Sequence, residues 1–282
     1  MPELTNPRAE RVKAVRALAG RPVRERRGRF LVEGPQSVRE AVRHAPRRVE
    51  DLYLTPAAAE RYPEIVAAAR VGGVAVQLAA PDVLEAMSPD AQGVLAVVET
   101  WATTLDAILA GRPRLVAVLA AVRDPGNAGT VIRAADAAGA DAVVLAGQSV
   151  DVFNPKVVRS TAGSLFHLPV VRGGTVTDVV SRLQLAGLSV LAADGAGDLD
   201  LDDLLDAAAA APRDTDDGPG PRRPDLRAPT AWLFGNEAWG LPAEDRDRAD
   251  AVVRVPLHGR AESLNLATAA AVCLYASARA QR

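Results

Sequence analysis

Three short segments of this 282-residue chain carry the polar groups best placed for chemistry, and each follows an apolar run. Leu115–Val122 leads into Arg123-Asp-Pro-Gly-Asn127, and Trp232-Leu-Phe breaks at Gly235 to deliver Asn236 and Glu237. Ala251–Pro256 leads through a loop containing His258 to Ser263-Leu264-Asn265, which opens an alanine-rich helix. Short buried apolar runs bounded by turn residues read as strands. Glycine lets a ligand approach backbone amides, and asparagine supplies both a donor and an acceptor. Such groups at strand carboxyl ends are what the ligand crevice of an open α/β sheet requires. Capping alone also accounts for the third segment, with Ser263 at the N-cap and Asn265 just inside the first turn.

Other reactive groups are sparse. Cys273 is the single cysteine and lies within the apolar C-terminal helix, which suits a buried thiol better than a nucleophile and excludes a disulfide framework. His44 and His167 lie outside the three segments, and His258 is a loop histidine within reach of the third. The glycines of Asp124-Pro-Gly-Asn-Ala-Gly129 lack the third glycine and downstream acid of a dinucleotide fingerprint, so a nicotinamide enzyme is set aside. No metal is expected.

The elements that must hold these segments divide into two domains. Residues 1–100 read as a small α/β domain: helix 6–19, a basic turn, a strand from Phe30, helix 36–43, strand 49–54, helix 57–69, strand 74–78 and a closing run 93–99. Residues 101–113 form the linker. Residues 114–282 alternate strand and helix, with a helix expected over 155–166, as a parallel sheet covered on both faces does. An acidic insert at about 195–229 breaks the rhythm, with a short helix over 201–210 and then a surface loop. Within 155–166, Lys156, Arg159, Ser160 and Ser164 form either a polar edge toward phosphate or a solvated helix face.

A net charge of −2 excludes a globally basic nucleic-acid binder, but the charge is unevenly spread. Arginines, Arg24, Arg26, Arg27 and Arg29 among them, crowd the first thirty residues, while aspartates crowd the insert. Local affinity for RNA phosphate at the first domain is the reading this supports. No secretory signal or bilayer-length apolar run is legible, so a soluble cytoplasmic protein is expected.

The segments Asn127-Ala-Gly-Thr-Val-Ile-Arg133, Phe234-Gly-Asn-Glu-Ala-Trp-Gly240 and Val255-Pro through Ser263-Leu-Asn265 resemble, in order and separation, the three motifs of the SpoU/TrmH family of SPOUT methyltransferases. Arg29-Phe-Leu-Val-Glu-Gly34 looks like the start of that family's RNA-binding accessory domain. The resemblance implies a parallel-sheet SPOUT domain with a C-terminal trefoil knot, where connection rules alone give an unknotted sheet. It implies transfer of methyl from S-adenosyl-L-methionine to a ribose 2′-hydroxyl of RNA, by a homodimer. Cofactor contacts fall at Gly235, Val255 and Leu264, and the catalytic set at Asn127, Arg133, Glu237, Ser263 and Asn265.

In-line methyl transfer requires alignment of the two reactants, acceptance of the hydroxyl proton and tolerance of charge on oxygen. An arginine acting as the base would have to give up a strongly held proton, at a cost of about 7 kcal/mol near neutral pH. Arg133 is therefore expected to hold a phosphate and stabilise the oxyanion. The accessory domain favours large-subunit (23S) ribosomal RNA. The alternatives are a tRNA 2′-O-methyltransferase, an rRNA methyltransferase conferring self-resistance to an antibiotic, and a noncatalytic RNA-binding protein that kept the fold.

Overall fold

The computed structural model describes residues 3–210 and 223–282. Asp214, Asp216, Asp217 and the proline–glycine run after them, expected as a surface loop, lie outside the described residues. The chain packs as two compact units, one formed by residues 1–102 with 151–167 and the other by 103–150 with 168–282.

The first unit is built on a four-stranded sheet of order β1-β4-β2-β3, where β1 is Arg29–Glu33, β2 Val49–Leu54, β3 Val76–Leu78 and β4 Val94–Glu99. β4 runs antiparallel to both of its neighbours, and β2 pairs with β3 in parallel. Val12, Val15 and Leu18 pack onto Leu31, Tyr53, Leu95 and Val97, together with Val83, Leu84 and Met87. The helix expected over 57–69 is two helices, Pro56–Arg61 and Pro63–Val71. Pro63 has no N–H to donate and drives Tyr62 out of helical geometry, to φ −123° and ψ 59°. The expected basic turn is instead the helix Arg21–Arg27, stopped by Gly28 in the left-handed conformation.

Residues 151–167 complete this unit. Their expected single helix stops at Ser160; Ala162 and Gly163 then take positive φ before a 3₁₀ turn at Ser164–Phe166. The Phe153 ring lies 4.5 Å from that of Phe30 and 5.2 Å from that of Trp101. Arg159 pairs with buried Glu33, which also accepts a 2.5 Å hydrogen bond from Ser88 Oγ.

The second unit holds a seven-stranded sheet of order β7-β6-β5-β10-β8-β11-β9, with every pairing parallel. Its strands are β5 (Leu115–Ala120), β6 (Ala142–Ala146), β7 (Val170–Arg172), β8 (Ser189–Ala193), β9 (Leu199–Asp200), β10 (Thr230–Phe234) and β11 (Ala251–Arg254). Every residue of β5, β6 and β10 is buried, which is why these strands read as unbroken apolar runs. Helix Val176–Leu185 packs Val179, Val180 and Leu183 into the core that includes Val118, Val190 and Leu233. Trp232, also fully buried, donates Nε1–H to Ser277 Oγ of the C-terminal helix Leu266–Ala280 at 2.9 Å.

The insert adds to the sheet and buries apolar side chains of its own. Residues 199–200 form the edge strand β9, paired with β11, and helix Leu201–Ala210 buries Leu201 and Leu204. Gly197 lies so close to β11 that a Cβ there would meet Arg254 N and Val252 O at 2.8 Å. Arg254 returns a hydrogen bond to Gly197 O and pairs with Asp200.

Candidate active site

The order of the sheet makes the site. β10 lies between β5 and β8, so the loops after β5, β8, β10 and β11 gather at one carboxyl edge. After β5 the chain turns at Ala121, a non-glycine residue with φ +53°. That conformation is held from both sides, because Ala121 N–H donates to Ala146 O and its carbonyl accepts from Asn236 Nδ2. Asp124 then caps helix Pro125–Ala138 by accepting from Asn127 N at 2.7 Å, which leaves the Asn127 side chain to other partners.

After β10, Gly235 packs against the backbone of Gly240 with no room for a Cβ. Asn236 and Gly240 exchange two backbone hydrogen bonds that close the loop between them. Asn236 is buried, and its side-chain amide bonds Ala121 O and Ala238 N. Of the two polar residues delivered by β10, Asn236 braces the loops and Glu237 is presented outward.

The third segment differs from expectation at its cap. The C-terminal helix begins at Leu266, and Asn265, not Ser263, is the N-cap. Asn265 Oδ1 accepts from Ala267 N and Thr268 N, at 2.9 and 3.3 Å. Asparagine satisfies two of the helix's open N–H groups with one oxygen and keeps its NH₂ free to donate. Asn265 Nδ2 donates to Asn127 Oδ1 at 3.0 Å, and Asn127 Nδ2 donates to Glu237 Oε1 at 2.9 Å. The direction of this chain is fixed at both ends, by a carboxylate that only accepts and by helix N–H groups that only donate.

Around this chain lies a cavity of about 450 Å³, lined by Asn127, Gly235, Glu237, Val255, Ser263, Leu264 and Asn265 together with the ends of β8 and β11. The three expected cofactor positions and four of the five expected catalytic residues therefore meet at one site. Arg133 is exposed on helix Pro125–Ala138 and is not among the lining residues. His258 is also outside the lining and lies 3.8 Å from Asp202. The sequence reading missed Asp194 and Glu262, which line the cavity as well. Asp194 follows β8, a strand end like the other three, and that position was the available signal.

The lining chemistry fits S-adenosylmethionine. Phe234, Leu241, Val253 and Leu266 offer apolar surface, while Asp194, Glu237 and Glu262 supply carboxylates, and among the described residues no arginine or lysine enters. A ligand carrying a sulfonium and an ammonium is favoured by such a wall.

The expected RNA-facing arginines separate in the first unit. Arg24 is buried, pairs with Asp151 at 2.7 Å, and donates to the carbonyls of Leu18 and Ala19. It is a structural residue, withdrawn from phosphate, because removing either member of so buried a pair leaves an uncompensated charge. Arg29 pairs with Glu50 and is half-buried. Arg26 and Arg27 are exposed on the helix that Arg24 anchors.

Residues 114–275 match the SpoU rRNA Methylase family, and residues 31–101 match the RNA 2′-O ribose methyltransferase substrate binding family. The chain is 35% identical over 271 residues to the 23S rRNA (uridine(2479)-2′-O)-methyltransferase of Streptomyces viridochromogenes, covering 93% of this chain and 86% of that protein. It is 30% identical over 277 residues to the 23S rRNA (guanosine(2553)-2′-O)-methyltransferase RlmP of Bacillus subtilis (strain 168), covering 98% of each. Among solved structures, the AdoMet-bound rRNA methyltransferase from Sinorhizobium meliloti superposes with a TM-score of 0.77 at 29% identity, over 98% of this chain and 97% of that one. The SpoU methyltransferase AviRb from Streptomyces viridochromogenes, in complex with AdoMet, does so with 0.76 at 35% identity, over 96% and 98%. With its methylase and substrate-binding regions both matched and its three motif loops gathered at one cavity, the chain belongs to the SpoU family of RNA 2′-O-ribose methyltransferases.

Proposed function

We propose that this S-adenosylmethionine-dependent RNA 2′-O-methyltransferase acts on 23S ribosomal RNA in the cytoplasm. The observation that carries the reading is the hydrogen-bonded chain Asn265–Asn127–Glu237 on the wall of a cavity lined by carboxylates. S-adenosylmethionine supplies a methyl group on a sulfonium. Gly235, Val255 and Leu264 hold it largely through backbone groups, while Ser263 and the Asn127 amide orient the ribose hydroxyl. Glu237, tied to Asn127, forms part of the cavity wall. The part of a fixed positive charge falls to Arg133, which holds the phosphate next to the target ribose and stabilises the negative charge that develops on the ribose oxygen.

Arg133 lies outside the lining of its own chain's cavity, so it reaches a site by completing that of a second copy. The enzyme is then a homodimer with shared sites. The first domain supplies RNA affinity, with Arg26 and Arg27 as its phosphate contacts, and the trefoil knot belongs to the same proposal. The two relatives named above are described as acting on a uridine and on a guanosine. Ribose chemistry is indifferent to the base, so the target nucleotide is selected by residues outside the shared pocket. Incubation of unmodified 23S rRNA with the protein and S-adenosylmethionine should place one 2′-O-methyl group, located by resistance of that linkage to alkaline cleavage. Methylation of tRNA but not of 23S rRNA would replace this reading with the tRNA one.

A further inference from the structure

The first unit gathers two of the protein's three histidines onto one carboxylate. Glu40 and His44 stand one turn apart on helix Pro35–His44, and His167 follows the 3₁₀ turn Ser164–Phe166. His44 Nε2 lies 3.3 Å from Glu40 Oε2, and His167 Nε2 lies 3.1 Å from the same oxygen. The candidate ligand atoms of all three residues fall within 4.8 Å of one another. The two rings meet edge to face with centroids 4.6 Å apart, and both Nε2 atoms approach the Glu40 carboxylate.

We propose that Glu40, His44 and His167 form a binding site for a divalent transition-metal ion of the zinc class, which fastens residues 151–167 to helix Pro35–His44. Two imidazoles and a carboxylate are a donor set suited to zinc, nickel or cobalt, with a coordination position left for water. Bonds of about 2.0–2.2 Å from one ion span ligand separations near those found here, so only small side-chain movements are needed. Two features of the surroundings, the helix end and the tight turn at Gly163, favour the site against the opposing charge of Arg43. His44 ends its helix, where the carbonyl dipoles attract a cation. Arg43 approaches Glu40 through Oε1, at 4.0 Å, and leaves Oε2 to the histidines. Gly163, at φ +103°, lets the returning chain press onto the Glu40 stem, where a Cβ would meet Glu40 Cγ at 2.5 Å.

The linear sequence concealed this site because Glu40 and His167 are 127 positions apart. Two imidazoles aimed at one carboxylate oxygen are also compatible with a shared proton, and the experiment separates the two. Untagged full-length protein, stripped with a chelator and dialysed, is titrated with zinc chloride by calorimetry. One equivalent should bind saturably, raise the unfolding temperature and slow amide exchange within residues 151–167. His44→Gln with His167→Gln should weaken binding by at least about tenfold, whereas His258→Gln should leave it unchanged. Cobalt(II) on the wild-type protein should give paramagnetically shifted ring N–H resonances from two histidines, a measurement independent of any variant's folding. Absence of saturable zinc binding, survival of full affinity in the double variant, or cobalt signals from fewer than two histidines would overturn the site and leave a proton-bridged cluster.

Discussion

At the scale of single residues, the same side chain serves structure and chemistry, and a chosen substitution can divide the two. Asn265 caps a helix with its oxygen and supports Asn127 with its nitrogen. Asn265→Asp keeps the capping oxygen and loses the donor. Its thermal stability should stay within about 0.5 kcal/mol of wild type, while methyl transfer falls steeply. Asn265→Ala should lose about 1 kcal/mol in addition. Equal activity of the aspartate variant and the wild type would remove the amide chain from the mechanism. Cys273 gives a prediction about pH, since burial pushes its thiol up from an ordinary 9.0 to about 12. The folded chain favours the neutral form, so this contribution to stability is complete below pH 9 and is lost as pH rises toward 12. Native protein should resist thiol reagents at about pH 8 and react fully once unfolded; rapid labelling of the native form would contradict the burial. The sequence showed which residues could do chemistry because glycine, asparagine and acid stood at strand ends. It did not show that Asn236 would turn inward while Glu237 stayed outside, because that depends on where the Ala121 carbonyl lies after folding.

At the scale of elements, strand positions were legible and helix ends less so. Strands β2 and β8 match their expected limits, β8 through its buried Val190-Leu191-Ala192 and β2 through Val49 and Leu52-Tyr53-Leu54, which flank the exposed Glu50 and half-buried Asp51. Helix breaks depended on subtler signals, such as Pro63 dividing one helix into two and Asn265 displacing Ser263 as the cap. The insert shows how composition can mislead. The short helix expected over 201–210 is present, but its aspartates concealed that it buries Leu201 and Leu204 and that residues 199–200 add an edge strand. Deletion of Asp198–Arg223 would therefore remove part of the core. Leu204→Ala should cost about 2–5 kcal/mol in urea unfolding, whereas exposed Asp203→Ala should change stability by less than about 0.5 kcal/mol. Similar midpoints for the two variants would show that the helix contributes nothing to the core.

At the scale of the whole molecule, local signals could not reveal that residues 151–167 would pack with the first 102. The contacts responsible, Phe153 against Phe30 and Arg159 against Glu33, join positions more than a hundred residues apart, and no periodicity encodes them. In the proposed homodimer, assembly is the level at which Arg133 would acquire its role. The arginine is exposed on helix Pro125–Ala138, and the adjoining C-terminal helix leaves Val272 and Tyr275 exposed, with the Tyr275 hydroxyl donating to Ala137 O. A face of this kind suits burial against a second copy. Arg133→Ala should then leave S-adenosylmethionine affinity nearly unchanged while abolishing transfer, as expected of a group that acts in the transition state. If Arg133 works across the interface, a heterodimer of an Arg133→Ala protomer and an Asn265→Ala protomer holds one site lacking both side chains and one intact site. Isolated heterodimers should recover activity approaching half that of wild type, although each parent homodimer is inactive. If Arg133 instead serves its own chain, each site in the heterodimer lacks one group and activity stays at the level of the parents. A fully active monomer in light scattering would overturn the shared site at once.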